Sequence, residues 1–215
     1  MTFREKAKHG LENIVKKMAI PAGITALEVP LHEGVHSITA AILPAIQSEG
    51  VALNNTYWYA KPFEIITFGY MKATQMDAHT GGYALISHLD NALGNFSSAL
   101  TSALPEVATM TLGMYWINQS IKNIRKKGER VGALVKSYCG FTLIAATQSY
   151  MQMSNLNPKE GDDYYNFTKS ILDLTHLPVS AAQYVTFIGT ALMITGALYA
   201  TNFFSNRFEK TGMLK

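Results

Sequence analysis

The chain of 215 residues holds a single cysteine, Cys139, which excludes an internal disulfide framework and any CxxC metal or redox centre. A packed thiol is what remains for it. Charge is also scarce: Asp, Glu, Lys and Arg make up 15% of the chain, against about a quarter in ordinary soluble domains. No internal repeat or low-complexity tract is present, so a solenoid or repeat-built transporter has no support. The net charge of +3 comes from short basic clusters and not from a basic face interleaved with aromatics, and nucleic acid is set aside as a partner. Basic residues precede an apolar run at the N-terminus, but no small-residue cleavage site follows, and the run is read as retained.

What the chain does have is hydrophobicity, 48% of its residues, in long stretches almost without charge. That distribution points to a membrane. A mean hydropathy of only +0.06 implies that Ser, Thr, Asn and Gly sit within the apolar segments, as in helices that pack on one another or line a polar cavity. The expected fold is an all-α multi-pass membrane protein with about four transmembrane helices, near 18–46, 83–117, 131–153 and 177–204. A small β hairpin is expected between the first and second, because FEIITFGYMKAT is rich in β-branched and aromatic residues and Gly81-Gly82 follows. Residues 1–17 read as a basic interfacial segment, 18–204 as one membrane-embedded domain and 205–215 as a basic tail. Thirteen Lys and Arg residues lie in the N-terminal, 118–130 and C-terminal segments, against four in 47–82 and 154–176, which favours cytoplasmic termini.

Inside the first apolar run stands His32-Glu33-Gly34-Val35-His36. Residues i and i+4 of a helix share a face, so both imidazoles can reach one Zn2+, while Glu33 beside them serves as general base. Pro30 removes an amide donor just before this motif and should kink the helix there, and Pro44 lies near its end. Zinc hydrolases need a third protein ligand. Asp163 and Asp162 are the leading candidates, with Glu64 and Glu106 in reserve. Glu28, one turn before His32, is a candidate to orient an imidazole. His79, His88 and His176 stand alone and read as interfacial or core histidines. The ten methionines, Met151 and Met153 included, read as packing residues, because Cys and His do not accompany them as a copper site would require.

An apolar helix with HExxH, a surface hairpin, and a later apolar helix running into Asn155-Leu156-Asn157-Pro158-Lys159-Glu160-Gly161-Asp162-Asp163 together resemble the site-2 protease family of intramembrane zinc metalloproteases. In that family an Asn is followed by Pro three residues on and by a zinc-binding Asp eight residues after the Asn. The resemblance implies Asp163 as third ligand beside His32 and His36, with Asp162 as substitute after a one-residue shift, and Glu33 as the base. It also implies a zinc site near the cytosolic membrane face, opposite to the side given by the charge count. Tyr164 departs from the family's Gly after the Asp. Of the family's Gly-Pro-x-x-Asn element only Asn95 has a counterpart, which gives it a possible substrate-binding role.

The function expected is a membrane-embedded zinc metalloendopeptidase hydrolysing membrane-anchored or membrane-associated polypeptides, with the lipid bilayer as its other partner. A hairpin around Phe63 to Thr74 could receive the unwound substrate as an added strand. The alternatives are a non-proteolytic membrane protein retaining a structural or regulatory metal site, and an ion transporter.

Overall fold

The computed structural model describes residues 12, 15, 18–77, 80–124, 130–156 and 163–211. Helical turns over 18–26 stop at a turn on Leu27, and α1 then begins, Glu28–Ile42. Pro30 explains the restart. It has no N–H to give the carbonyl four residues earlier, so the ladder breaks, and proline fits instead in the first turn of a new helix. The order continues as β1 (Ile46–Asn54), α2 (Ala60–Ile66), β2 (Met71–Thr74), β3 (Gly82–His88), α3 (Ala92–Asn123), α4 (Arg130–Leu156), α5 (Asp163–Thr175), a 3-10 turn (Val179–Ala181) and α6 (Ala182–Thr211).

This is a mostly helical protein with a small sheet, and it corrects the expected fold class. Among the described residues only Val179–Arg207 is a helix long and apolar enough to cross a membrane. A multi-pass location in the membrane is therefore not supported, and the four-span topology drawn from the charge count lapses with it. Two of the other three expected spans fail for separate reasons. The run 18–46 is cut at Leu27 and again after Ile42, leaving α1 at 15 residues, about 22 Å against roughly 30 Å of hydrocarbon. The run 83–117 starts as a strand, and α3, although 32 residues long, carries buried Asn95, Ser97, Ser98, Thr101, Ser102 and Glu106. In 131–153 the described apolar stretch of α4 is Val131–Ile144, and the side chains from 145 to the end of that helix lie outside the described residues.

The expected hairpin is also replaced, by a three-stranded sheet in the order β2-β1-β3. β1 and β2 are parallel, joined through α2, while β3 returns antiparallel to β1. Ile65 and Ile66, which suggested a strand, lie on the short helix α2, so local β preference yielded to chain context. Gly50 marks a register shift in β1 with φ of +133°, and a Cβ there would meet the Tyr70 carbonyl at 2.9 Å. From Gly50 onward β1 is buried on both faces. α1 lies against the sheet, with Val29 on Gly81 and Gly82 and Gly34 near Met71.

The chain forms two compact units: Met1–Glu28, Thr109–Thr147 and Gly196–Lys215; and Val29–Ala108 with Gln148–Thr195. In the first, Trp116, Cys139 and Leu143 form a buried cluster with Ile24, Leu112, Tyr115 and Val135 around it. Cys139 is thus a packed thiol, as its isolation suggested. Gly113 and Gly140 bring α3 and α4 into backbone contact, since a Cβ on either would lie 2.6–2.8 Å from the other's carbonyl oxygen. The second unit holds the sheet, α1 and the residues described next.

Candidate metal centre

His32 and His36 lie one turn apart on α1, with ring centroids 4.9 Å apart and planes at 74°. Asp163 opens α5, where a carboxylate suits the positive end of the helix dipole. Its Oδ2 accepts from His32 Nε2 at 3.2 Å and from His36 Nε2 at 3.1 Å. One ligand atom from each residue lies within 4.8 Å of the other two, so the group could hold a metal ion. The donor set fits one. Contacts of 3.1 and 3.2 Å are long for charge-assisted hydrogen bonds, which run at about 2.7–2.9 Å. They match the edge of about 3.3 Å expected between neighbouring ligands in a tetrahedral zinc site.

α5 is held where Asp163 can reach the imidazoles. Ser170 Oγ donates to Ser98 Oγ on α3 at 3.0 Å, Thr168 pairs with Thr186 on α6 at 2.8 Å, and the Phe167 ring closes on Gly189. Tyr164 is buried and its hydroxyl faces the Met193 sulfur at 3.9 Å, so the departure from Gly is filled by packing.

His36 is oriented by a device that starts with a proline. Its Nδ1–H donates to the Thr101 carbonyl at 2.9 Å. In a regular helix that carbonyl would accept from residue 105, but residue 105 is proline, inside α3, and has no N–H. With Nδ1 holding a proton for Thr101, the Nε2 lone pair is the one left for a metal.

In the metal-free chain protons hold the three groups together. Burial pulls His32 down, but its hydrogen bond to Asp163 and the charges of Glu106, Asp163 and Glu33 outweigh it, and the imidazole is pushed up to about 9. His36 is raised for the same reason, burial opposing and Asp163 prevailing. Burial would raise Asp163, yet the two imidazoles hold it at about 2. Glu33 is raised, chiefly by burial, with both imidazoles opposing.

Glu33 meets the sheet through β3. Asn54 N–H donates to the Gly81 carbonyl at 2.9 Å, which makes Ala52 with Tyr83 the next hydrogen-bonded pair and Val51 with Ala84 a non-hydrogen-bonded one. The Ala84 N–H therefore points to the outer edge of β3, where it donates to the Glu33 carboxylate. The general-base candidate thus sits on the outer edge of a strand that the sequence did not place there.

The remaining candidates fall elsewhere. Glu28 occupies the first turn of α1, where its charge suits the helix dipole. Asn95 is buried in the first turn of α3, about 9 Å along the axis from Thr101 and towards the end of α1, away from His32. Glu64 pairs with Lys61 at 2.7 Å, which lowers its carboxyl. His88 and His176 are exposed. Asp162, His79 and Pro158 lie outside the described residues, as do the side chains of Asn155, Met151 and Met153. Thr101 was missed, although a proline within a long helical run is a signal that one carbonyl is left without its helical donor. No protein-family model matches the chain, and comparison with curated proteins and with solved structures gives no match.

Proposed function

We propose that this protein is a zinc-dependent hydrolase of peptide bonds, with His32, His36 and Asp163 as ligands and Glu33 as general base. The observation that carries the reading is the meeting of one carboxylate oxygen with both imidazoles of an HExxH helix. The relation to site-2 proteases is proposed for this ligand set alone.

Zinc, when bound, acidifies a water and polarises the scissile carbonyl. Glu33 would take a proton from the attacking water and pass it to the leaving amine, and its raised affinity for protons suits both halves of the exchange. The Ala84 N–H holds the carboxylate in place. A polypeptide in extended form adds to the outer edge of β3, not to the 63–74 segment, a third of which is helix. Ile86, opposite Ser48, also presents its N–H outward, because Leu89 N–H bonds to the Ala45 carbonyl and sets the phase beyond the bulge. Ile86→Pro leaves the fold intact, since an edge strand tolerates proline, and should raise KM several-fold; an unchanged KM would remove the edge from the mechanism.

Glu33→Gln should lower cleavage of an unfolded polypeptide by about 10³-fold while zinc stays bound. Full activity in this variant ends the proposal. The buried Tyr164 favours a second reading, a metal site without hydrolysis, for which bound zinc with no turnover in the native chain is the signature. A bilayer enters either reading only through α6.

A further inference from the structure

Glu106 is 2% exposed on α3 and none of the steps above uses it. A carboxyl group is costly to bury without a polar partner. α1 and α3 run antiparallel: Pro44 meets Ser97 through a hydrogen bond of 2.6 Å, and His36 meets Thr101 at 2.9 Å. One turn back along α1 from His36 is His32, a rise of about 6 Å, and five residues on from Thr101 is Glu106, about 7.5 Å. The two residues are level. His32 Nδ1, the ring nitrogen not facing Asp163, is fully buried, and it must carry a proton if Nε2 is to bind a metal.

We propose that the adjacent residues Pro105 and Glu106 position the two metal-binding imidazoles, Pro105 by freeing the Thr101 carbonyl for His36 and Glu106 by offering a carboxylate to the Nδ1–H of His32 across one water. The charge of Glu106 acts on His32 more strongly than that of Glu33, its neighbour in sequence. Partners of this kind fix the tautomer and the ring angle and make the ligand a better donor. The two imidazoles then differ, one held by a neutral carbonyl and the other by an anion. Both act through the histidines and touch no substrate, so they are positioning residues. The inference rests on the metal-centre reading.

The test measures Zn2+ affinity against a chromogenic chelator, together with the ring 15N and Nδ1–H resonances of the zinc-loaded protein. Glu106→Ala should weaken zinc about 10-fold or more and displace the His32 Nδ1–H signal while leaving that of His36. Glu106→Gln, which keeps the volume and an acceptor, should fall between and carries the test if the alanine variant does not fold. Pro105→Ala restores an N–H that competes for the Thr101 carbonyl. It should weaken zinc several-fold and perturb His36 alone, although the metal-free variant melts no lower than the native protein. Native affinity and unmoved histidine signals in these variants would overturn the proposal by itself. A native chain that takes up no zinc would overturn the metal centre, and this inference with it.

Discussion

Helices α1 and α6 both lie in runs that read as membrane spans, and the structure treats them in opposite ways. α1 is 15 residues with Glu28, His32, Glu33 and His36 along it, and its histidines are turned onto α3 and α5. In α6 only 17% of the most apolar window is buried, and Tyr184, Phe187, Ile188, Leu192, Leu198 and Tyr199 form an exposed stripe at helical spacing. Average hydropathy cannot separate the two, because it registers neither the proline that restarts a helix nor the strand that follows. What separates them is the cost of a charge: on α1 partners from α3, α5 and β3 meet His32, Glu33 and His36, whereas α6 carries no charge before Arg207. One helix should therefore be intolerant of single substitutions and the other, on its exposed face, indifferent.

The largest expected effect is on α1. His36→Ala removes one ligand and leaves the buried Asp163 with a single imidazole, a loss of about 3–5 kcal/mol in the metal-free protein, and zinc should no longer survive gel filtration. Normal zinc content in this variant would erase the contrast. Next comes pH. Asp163 is lowered from 3.8 to about 2, so its contribution is present above about pH 4 and lost as pH falls through 2. His32 is raised from 6.5 to about 9, so its contribution is complete below 6.5 and lost as pH rises through 9. The chelated protein should be most stable between about pH 4 and 6.5 and lose about 3 kcal/mol, roughly 10 °C in Tm, by pH 9. Zinc needs bare Nε2 atoms, so its affinity should climb over the same interval. A flat melting profile from 6.5 to 9 in chelator would mean that the proton-held cluster contributes nothing.

The site was more legible than the fold, and the reason is physical. HExxH works through the fixed pitch of one helix, so His32 and His36 could be paired from spacing alone, and the motif spacing that singled out Asp163 depends on a short stretch of chain. Glu33's contact with Ala84 could not be read, because it depends on the phase of a ladder set by Gly81 and Asn54 and on a strand hidden in a run that looked helical. Thr101 and Glu106 were missed as partners because their roles come from a helix crossing more than sixty residues distant in sequence. The multi-pass fold failed where composition was asked to stand for length: α3 has the length of a span but spends its polar residues inside the protein, and α1 has the hydropathy but not the length.

The smallest effects belong to α6, where two nearby positions separate its faces. Gly189 is packed: a Cβ there would lie 2.3 Å from Phe167 Cε1 and 2.8 Å from Cζ. Gly189→Leu should therefore cost about 1–3 kcal/mol through a forced shift of that ring on the helix that carries Asp163, and zinc affinity should drop with it. Phe187, two residues earlier, is 74% exposed. Phe187→Gln should change stability by no more than about 0.5 kcal/mol and leave zinc untouched, yet it removes apolar surface from the stripe. Flotation with neutral vesicles reads that surface directly. If native protein floats and the Gln variant floats less, the stripe meets lipid and α6 differs from α1 in solvent as well as in charge. If both stay at the bottom of the gradient, hydrocarbon is not what this face meets, and the contrast between the helices reduces to packing inside the protein.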